Sequence, residues 1–319
     1  MVMKVVQTNI NTHSYSIFKL DSLKMGEVLT FSLFIKKEKN YVLIIEAGTL
    51  LTPKLYERLK NQKNLYISNR EKSNQLLSPA SLKYHVLYNK NDYQKVLNFL
   101  YSINALIFKK YFDSKEDKID IDSIESLLFV IIDLIQDDKQ YLKETMPYFI
   151  NKFELNSHSL HVAIYAINLG ILLGFNAKEL LVIGKAALLH DIGIKKIDSS
   201  IIENEGIISF EELEAVQKHA ELSAKIVRQN NVTDKEITDA ISQHHENHDG
   251  SGYPHHLKSA EISDFASIIS ISEVFDALTN DRPHRAAYGS FDALKLMLQD
   301  ETMANRFKTE YLQLFLHSL

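Results

Sequence analysis

The chain has 319 residues, of which 45% are hydrophobic and 24% are charged, and it carries a formal net charge of −5 and no cysteine. Its length predicts two domains, since single hydrophobic cores rarely grow beyond about 250–300 residues. The lack of cysteine excludes disulfides and thiolate-bound metals, and the acidic balance argues against a nucleic-acid duplex, which selects a basic surface.

The N-terminal part of the chain predicts a small α+β module. Two runs of β-forming residues, 28–35 and 41–45, flank a polar turn and indicate a hairpin. Thr52 followed by Pro53 predicts the start of a short helix. We expect residues 1–75 to act as a regulatory module, because they carry no cluster of catalytic or metal-ligating residue types.

Neither the first residues nor the apolar segments of the chain predict export or a membrane span. Residues 1–11 lack the layout of a signal peptide, so we expect a cytoplasmic protein. Residues 155–177 contain no Asp, Glu, Lys or Arg. They include His and Asn side chains that are costly in a bilayer, so a helix buried inside the protein is the better interpretation.

Apolar residues recur at helical spacing from the middle of the chain onward. Val96, Leu100 and Ile103 share one helix face. Residues 76–147 are predicted to form a linker and connecting helices, whose apolar faces pack on the next domain or on a second copy of the chain. Residues 148–319 show no strand pattern. The predicted fold class is an α+β N-terminal module followed by an all-α helical domain.

Helix ends are marked by specific residue patterns in this second part. Ser209 with Glu212, and Thr233 with Glu236, read as capping boxes at helix starts. A further apolar run ends at His190-Asp191, and the glycine at 193 stands where a C-terminal cap is expected. These patterns predict that an imidazole and a carboxylate lie together at a helix end.

Metal-ligand residue types are concentrated in the second half of the chain. Ten of the thirteen histidines lie between residues 158 and 284. Any one of them is more often a satisfied core histidine than a ligand, but five predicted helices that each present such a group favour a metal centre. The candidate ligands are Glu154, His158, His190, Asp191, His219, His244, His245 and Glu273.

Imidazole and carboxylate donors without sulfur suit iron, manganese or zinc. A carboxylate such as Asp191 can bridge two cations. Paired cations predict phosphoester hydrolysis, in which a metal-bridging hydroxide attacks phosphorus and the cations neutralise the charge that develops on oxygen.

Two motifs carry a resemblance to a known family. The pair His190-Asp191 is followed at residues 244–254 by His-His-Glu-Asn-His-Asp-Gly-Ser-Gly-Tyr-Pro. Together they resemble the HD-GYP phosphodiesterases, and the similarity extends over residues 148–319. The resemblance implies a bundle-like α fold, two or three divalent ions that are iron or manganese, and hydrolysis of cyclic di-GMP to pGpG or GMP.

The resemblance also implies roles for single residues. Asp191, His190 and His219 would form the catalytic centre, and Glu154 matches an acidic residue of members that hold a third metal. Glu273 stands where the family has Asp, and it keeps a carboxylate with one more methylene. The residues implied in substrate binding are Tyr253, Gly252, Arg282, Arg285 and Lys195.

One departure from the family pattern bears on the rate. The family has a lysine that faces the scissile phosphate at the position of Ile194, and the chain has Lys195 and Lys196 one and two places later. Three hypotheses follow: a phosphodiesterase with reduced activity, a receptor or interaction module that binds a cyclic dinucleotide without hydrolysing it, and a phosphohydrolase of linear nucleotides. A homodimer or a signalling partner is left open.

Overall fold

The structure, a computed structural model, consists of two compact units, residues 1–90 and 91–319. The division of roles among residues 1–75, 76–147 and 148–319 stays a prediction. The described residues are 15–20, 23, 29, 31–38, 40–45, 49, 51–68, 82, 83, 86, 89–149, 154–202, 206, 209–281 and 285–319.

In its described part, the first unit contains a four-stranded antiparallel sheet of order β1-β4-β2-β3 and the helix Pro53–Lys60. Leu33, Ile45 and Leu65 pack from three of the strands against Leu51 and Leu59. The elements are β1 (Tyr15–Phe18), β2 (Leu33–Lys37), β3 (Asn40–Ile45), α1 (Pro53–Lys60) and β4 (Leu65–Ser68).

The predicted hairpin and helix of this unit are present. Strands β2 and β3 pair from Lys37 with Asn40 onward, and the side chain of Thr52 accepts a hydrogen bond from the backbone N–H of Leu55 at the start of α1. Strand β2 begins at Leu33, later than the predicted residue 28. The prediction for residues 1–11 lies outside the described residues.

The second unit is helical, and its described residues contain no β-strand, as predicted. Its helices are α2 (Tyr93–Phe112), α3 (Ile121–Asp137), α4 (Tyr141–Thr145), α5 (Leu155–Leu172), α6 (Ala177–Leu189), α7 (Ser199–Ile202), α8 (Phe210–Gln217), α9 (His219–Gln229), α10 (Lys235–Gln243), α11 (Asp264–Thr279), α12 (Ser290–Gln299) and α13 (Thr309–Leu316). A 3₁₀ turn over Ile192–Lys196 follows α6.

Helix α5 lies at the centre of this unit. It is buried from Ser157 to Gly170 and packs against α2, α3, α4, α6, α11 and α13. This burial explains why residues 157–170 carry no charged side chain, because an unpaired charge there would be desolvated. The apolar faces of α2 and α3 are also buried within the unit. No helix in the described ranges has the length and hydropathy required to span a membrane.

Two of the three predicted helix-end patterns differ in the structure. The capping box of Ser209 and Glu212 is confirmed. The box at Thr233 is wrong by one residue, since Asp234 caps α10 and accepts from the backbone N–H of Glu236. The predicted cap at Gly193 is also wrong, because His190 is the C-cap of α6 and Gly193 lies inside the 3₁₀ turn.

Gly193 is required by a close approach between two backbones. A Cβ at this position would lie 2.5 Å from the carbonyl oxygen of His219 and 2.5 Å from the backbone nitrogen of Ser223. The Gly193 N–H also donates to the Ser223 hydroxyl at 2.8 Å. The first turns of α9 therefore pack directly on the turn that follows Asp191.

We expect Gly193→Ala to lower the free energy of unfolding by roughly 1–3 kcal/mol, because the added methyl group overpacks a backbone contact. Urea denaturation followed by circular dichroism measures the change. Gly289→Ala is the matched control, since the nearest atom to its new Cβ would be 3.9 Å away. Equal losses in the two variants would contradict the close-packing account.

Candidate metal centre

Seven of the eight predicted ligands come together in the second unit, where they form two groups. Within each group, the ligand atoms lie within 4.8 Å of one another. Helix α5 supplies His158, the end of α6 supplies His190 and Asp191, and α11 supplies Glu273. The first group is Asp191, His219, His244 and His245, and the second is His158, His190 and Glu273.

The carboxylate of Asp191 connects the two groups. Its Oδ1 lies 3.1 Å from Nε2 of His219 and 3.8 Å from Nε2 of His244. Its Oδ2 lies 3.4 Å from Nε2 of His190 and 4.0 Å from Nε2 of His158. One oxygen therefore faces each group, which is the arrangement that a bridging carboxylate requires.

Three imidazoles are oriented by the same backbone contact. The Nδ1 of His190, His219 and His244 lies 2.6–2.7 Å from the carbonyl oxygen three residues earlier, at Ala187, Val216 and Ile241. These carbonyls belong to the last turns of α6, α8 and α10, where intrahelical partners run out. Because Nδ1 must donate to a carbonyl, Nε2 is left as the lone-pair nitrogen that faces the centre.

The donor set fits divalent cations better than it fits an ordinary polar core. Nε2 of His219 lies 3.3 Å from Nε2 of His244, so two lone pairs face each other in the neutral rings. Nε2 of His190 and Oδ1 of Asp191 are buried without a hydrogen-bond partner among the residues that the structure describes. A cation between these atoms would satisfy all of them, as nitrogen and oxygen donors without sulfur do for transition metals.

The buried charges of the centre shift one another's pKa values. Burial disfavours the charged forms, but the neighbouring imidazoles of His190 and His219 hold the pKa of Asp191 well below its usual range. The Asp191 carboxylate in turn outweighs burial and raises the pKa of His190 to about 9. Burial and the adjacent imidazoles lower the pKa of His244. Asp191 is thus the ionised group that the ligands surround.

Asp276 is a contributor whose role the sequence reasoning missed. Its two oxygens lie 2.6 Å from Nδ1 of His158 and 2.7 Å from Nδ1 of His161. Burial raises the pKa of Asp276, but the two imidazoles outweigh this and hold it well below its usual value. A carboxylate that accepts from Nδ1 orients the ring of His158 with Nε2 toward Asp191.

Glu154 does not join either group. It is the exposed N-cap residue of α5, and its backbone carbonyl accepts the hydrogen bond from the N–H of His158. A third metal at Glu154 stays a prediction.

Two of the cations predicted to bind substrate are engaged elsewhere. The ammonium of Lys195 donates to the carbonyls of Tyr111 at 2.7 Å and Ser114 at 2.9 Å, and it lies 4.2 Å from the ring centroid of Tyr111. The guanidinium of Arg285 donates to three backbone carbonyls, those of Ala277, Leu278 and Ala286. The structure gives both side chains a structural role. Arg282 lies outside the described residues.

The loop after α10 is folded onto His245. The ring of Tyr253 stacks on the His245 ring with centroids 4.6 Å apart. The backbone N–H of Tyr253 donates to the backbone carbonyl of His245. A Cβ on Gly252 would lie 2.3 Å from that carbonyl oxygen, so a close backbone contact requires this glycine. A contact of Gly252 with the substrate stays a prediction. The buried Glu246 accepts from the N–H groups of His255 and Leu257 and holds the loop.

A cavity of about 350 Å³ opens beside this loop. Its lining includes His245, Tyr253 and Asn247, and Arg306 is the one Lys or Arg among the described residues that line it. Nε of Arg306 donates to the carbonyl of Thr302. The sequence reasoning missed Arg306, because it lies outside the motifs and reaches the loop only in the folded chain.

Comparisons with known proteins agree with this arrangement. The HD domain family matches residues 130–307. A 3'3'-cGAMP-specific phosphodiesterase 3 of Vibrio cholerae is 35% identical over 140 residues, which are 44% of this chain and 30% of that protein. The cyclic di-GMP phosphodiesterase PdeB of Borreliella burgdorferi is 30% identical over 162 residues, 51% of this chain and 42% of that protein. The match thus spans less than half of either relative.

A solved structure shares the fold. Bd1817, a HDG"Y"P protein from Bdellovibrio bacteriovorus, superposes with a TM-score of 0.59 at 19% sequence identity. The superposition covers 94% of this chain and 98% of Bd1817. At this identity the likeness concerns the fold alone.

We expect Asp191→Ala to remove bound metal and to leave the helical fold in place, because a carboxylate shared by two groups contributes to both ions. Elemental analysis gives the metal content, and far-ultraviolet circular dichroism gives the helix content. Asp292→Ala, which removes an exposed carboxylate from α12, is the control. A metal content equal to that of the wild type would show that Asp191 is not a ligand.

Proposed function

Since the chain belongs to the HD domain family and carries the HD-GYP motif, we propose that it is a metal-dependent phosphodiesterase that hydrolyses cyclic di-GMP or a related cyclic dinucleotide. The observation that carries the proposal is the pair of ligand groups that share Asp191. Two neighbouring cation sites suit an in-line displacement at phosphorus, where both the attacking and the leaving oxygen need charge stabilisation.

The residues of the centre divide the work. Asp191, His219, His244 and His245 would hold one ion, and His158, His190 and Glu273 the other, with iron or manganese as the metals proposed. When bound, such ions supply Lewis acidity to the phosphoester and lower the pKa of water. The histidines bind through the nitrogens that face inward, and the surrounding apolar helices keep bulk water away.

Tyr253 and Arg306 are suited to hold the substrate. The ring of Tyr253 lines the cavity beside His245 and offers a flat surface to a guanine base. Burial raises the pKa of the Tyr253 hydroxyl, so the group remains a hydrogen-bond donor at neutral pH. The guanidinium of Arg306 can bind a phosphate oxygen, since such charge-assisted hydrogen bonds are among the stronger ones in proteins.

A second candidate function is a receptor that binds a cyclic dinucleotide and releases it unchanged. The half-buried Ile194 favours it, because this apolar side chain stands where the family presents a lysine. The ammonium of Lys195, the next residue, donates to the carbonyls of Tyr111 and Ser114, which also supports this candidate.

Metal analysis of anaerobically purified protein, combined with product analysis after incubation with cyclic di-GMP and 3'3'-cGAMP, tests the proposal. Conversion to linear dinucleotides or mononucleotides that depends on the metal supports it. Binding without products supports the receptor. Hydrolysis of linear nucleotides alone would place the chain among other phosphohydrolases.

We expect Ile194→Lys to raise turnover by up to about 10²-fold to 10³-fold with little change in substrate affinity, because an added cation stabilises the transition state more than the ground state. Steady-state kinetics measure the effect. Ile194→Met is the control for side-chain length. Unchanged turnover in Ile194→Lys, together with loss of activity in Lys195→Ala, would assign the phosphate contact to Lys195.

We expect Arg306→Ala to raise the KM for the dinucleotide by roughly 10-fold and to leave metal content unchanged, because one charge-assisted hydrogen bond is lost. Arg228→Ala, an exposed arginine at the end of α9, is the matched control. A KM equal to that of the wild type would exclude Arg306 from the substrate site.

The first unit is proposed to regulate the second. The two ligand groups found among the described residues both belong to residues 91–319, which supports a division between chemistry and regulation. The cytoplasmic location stays a prediction, and both a homodimer and a signalling partner stay open alternatives.

A further inference from the structure

A chain of buried hydrogen bonds leads from helix α2 to the metal centre. The Tyr101 hydroxyl contacts Nε2 of His161, Nδ1 of His161 lies 2.7 Å from Oδ1 of Asp276, and Oδ2 of Asp276 lies 2.6 Å from Nδ1 of His158. All four side chains are at most 8% exposed. We call Tyr101, His161, Asp276 and His158 the tyrosine relay.

The direction of each hydrogen bond follows from the carboxylate. Ionised Asp276 can only accept, so both imidazoles donate to it from Nδ1. In the neutral ring of His161, Nε2 is then an acceptor, and the Tyr101 hydroxyl donates to it. Each member thus fixes the next, and the last one, His158, presents its other nitrogen toward Asp191.

The ring of His161 is held on three sides. Tyr101 and Asp276 engage its two nitrogens, and the ring of Phe149 stacks on its face with centroids 4.3 Å apart at an angle of 10°. A ring fixed in this way cannot rotate without breaking buried hydrogen bonds. Loss of the Tyr101 hydroxyl would leave Nε2 of His161 buried without this donor, which destabilises the present orientation of the ring.

We propose that Tyr101 and His161 are positioning residues that orient His158 for the ion of the second ligand group, His158, His190 and Glu273. This inference rests on the metal centre of the proposed function and goes beyond it. Tyr101 precedes the matched segment 130–307, so a helix outside that segment completes the centre. Partners of this kind typically change metal affinity by roughly 10-fold to 100-fold.

Titration of the metal-free full chain with Mn²⁺ tests the proposal. Binding is followed by calorimetry, and electron paramagnetic resonance distinguishes a coupled ion pair from an isolated ion. We expect Tyr101→Phe and His161→Leu to lower the affinity for the second ion by roughly 10-fold to 100-fold. Binding of the first ion, by Asp191, His219, His244 and His245, should be unchanged. The spectrum should change from a coupled pair to an isolated ion at intermediate Mn²⁺.

Tyr141→Phe is the matched control. Tyr141 is as buried as Tyr101 and lies in the same unit, but its hydroxyl has no hydrogen-bond partner among the described residues. It should bind both ions as the wild type does. His161→Asn, which keeps a donor for Asp276, should retain a higher affinity for the second ion than His161→Leu. If His161→Leu fails to fold, His161→Asn and Tyr101→Phe still provide the measurement.

Wild-type affinity for both ions in Tyr101→Phe and His161→Leu would overturn the proposal. So would equal weakening in Tyr141→Phe, or a wild type that takes up no second ion. Failure of the proposed function can be distinguished from failure of this proposal. A wild type that binds two Mn²⁺ ions and leaves cyclic di-GMP intact would refute hydrolysis, while the metal affinities of the variants would still test the tyrosine relay.

Discussion

The helical unit is organised around one buried negative charge, the carboxylate of Asp191, which is 7% exposed. An isolated carboxylate in an apolar core is costly, and here imidazoles from α5, α6, α9 and α10 approach it from both sides. The helices can pack closely only if that charge is compensated. The imidazoles that surround Asp191 therefore serve both helix packing and the candidate metal centre.

Helix ends orient three of the imidazoles in the centre. A helix that stops leaves carbonyls without backbone partners, and an imidazole one turn later can donate to such a carbonyl. His190, His219 and His244 all use this contact. These three histidines therefore satisfy the end of a helix and are oriented as ligands by the same contact.

Local sequence patterns predicted the helical class, the hairpin and the seven ligands that converge. They did so because residue type and spacing along one helix determine which side chains share a face. They missed the links between Tyr101, His161 and Asp276, which join residues 60 and 115 positions apart. The close backbone contact at Gly193 and the carbonyl partners of Lys195 were missed for the same reason, since they come from other segments of the fold. Substrate binding by Lys195 and Arg285 stays a prediction.

The hydrogen bonds of the Lys195 ammonium bear on where the chain can be cut into fragments. Its acceptors, the carbonyls of Tyr111 and Ser114, stand before residue 130, where the family match begins in the middle of α3. A fragment cut at that residue would start inside a helix and leave the half-buried ammonium of Lys195 without these acceptors in the turn that follows Asp191. A fragment that keeps these contacts has to include α2, which also packs on α5, so a boundary at residue 130 would cut through the core of the second unit.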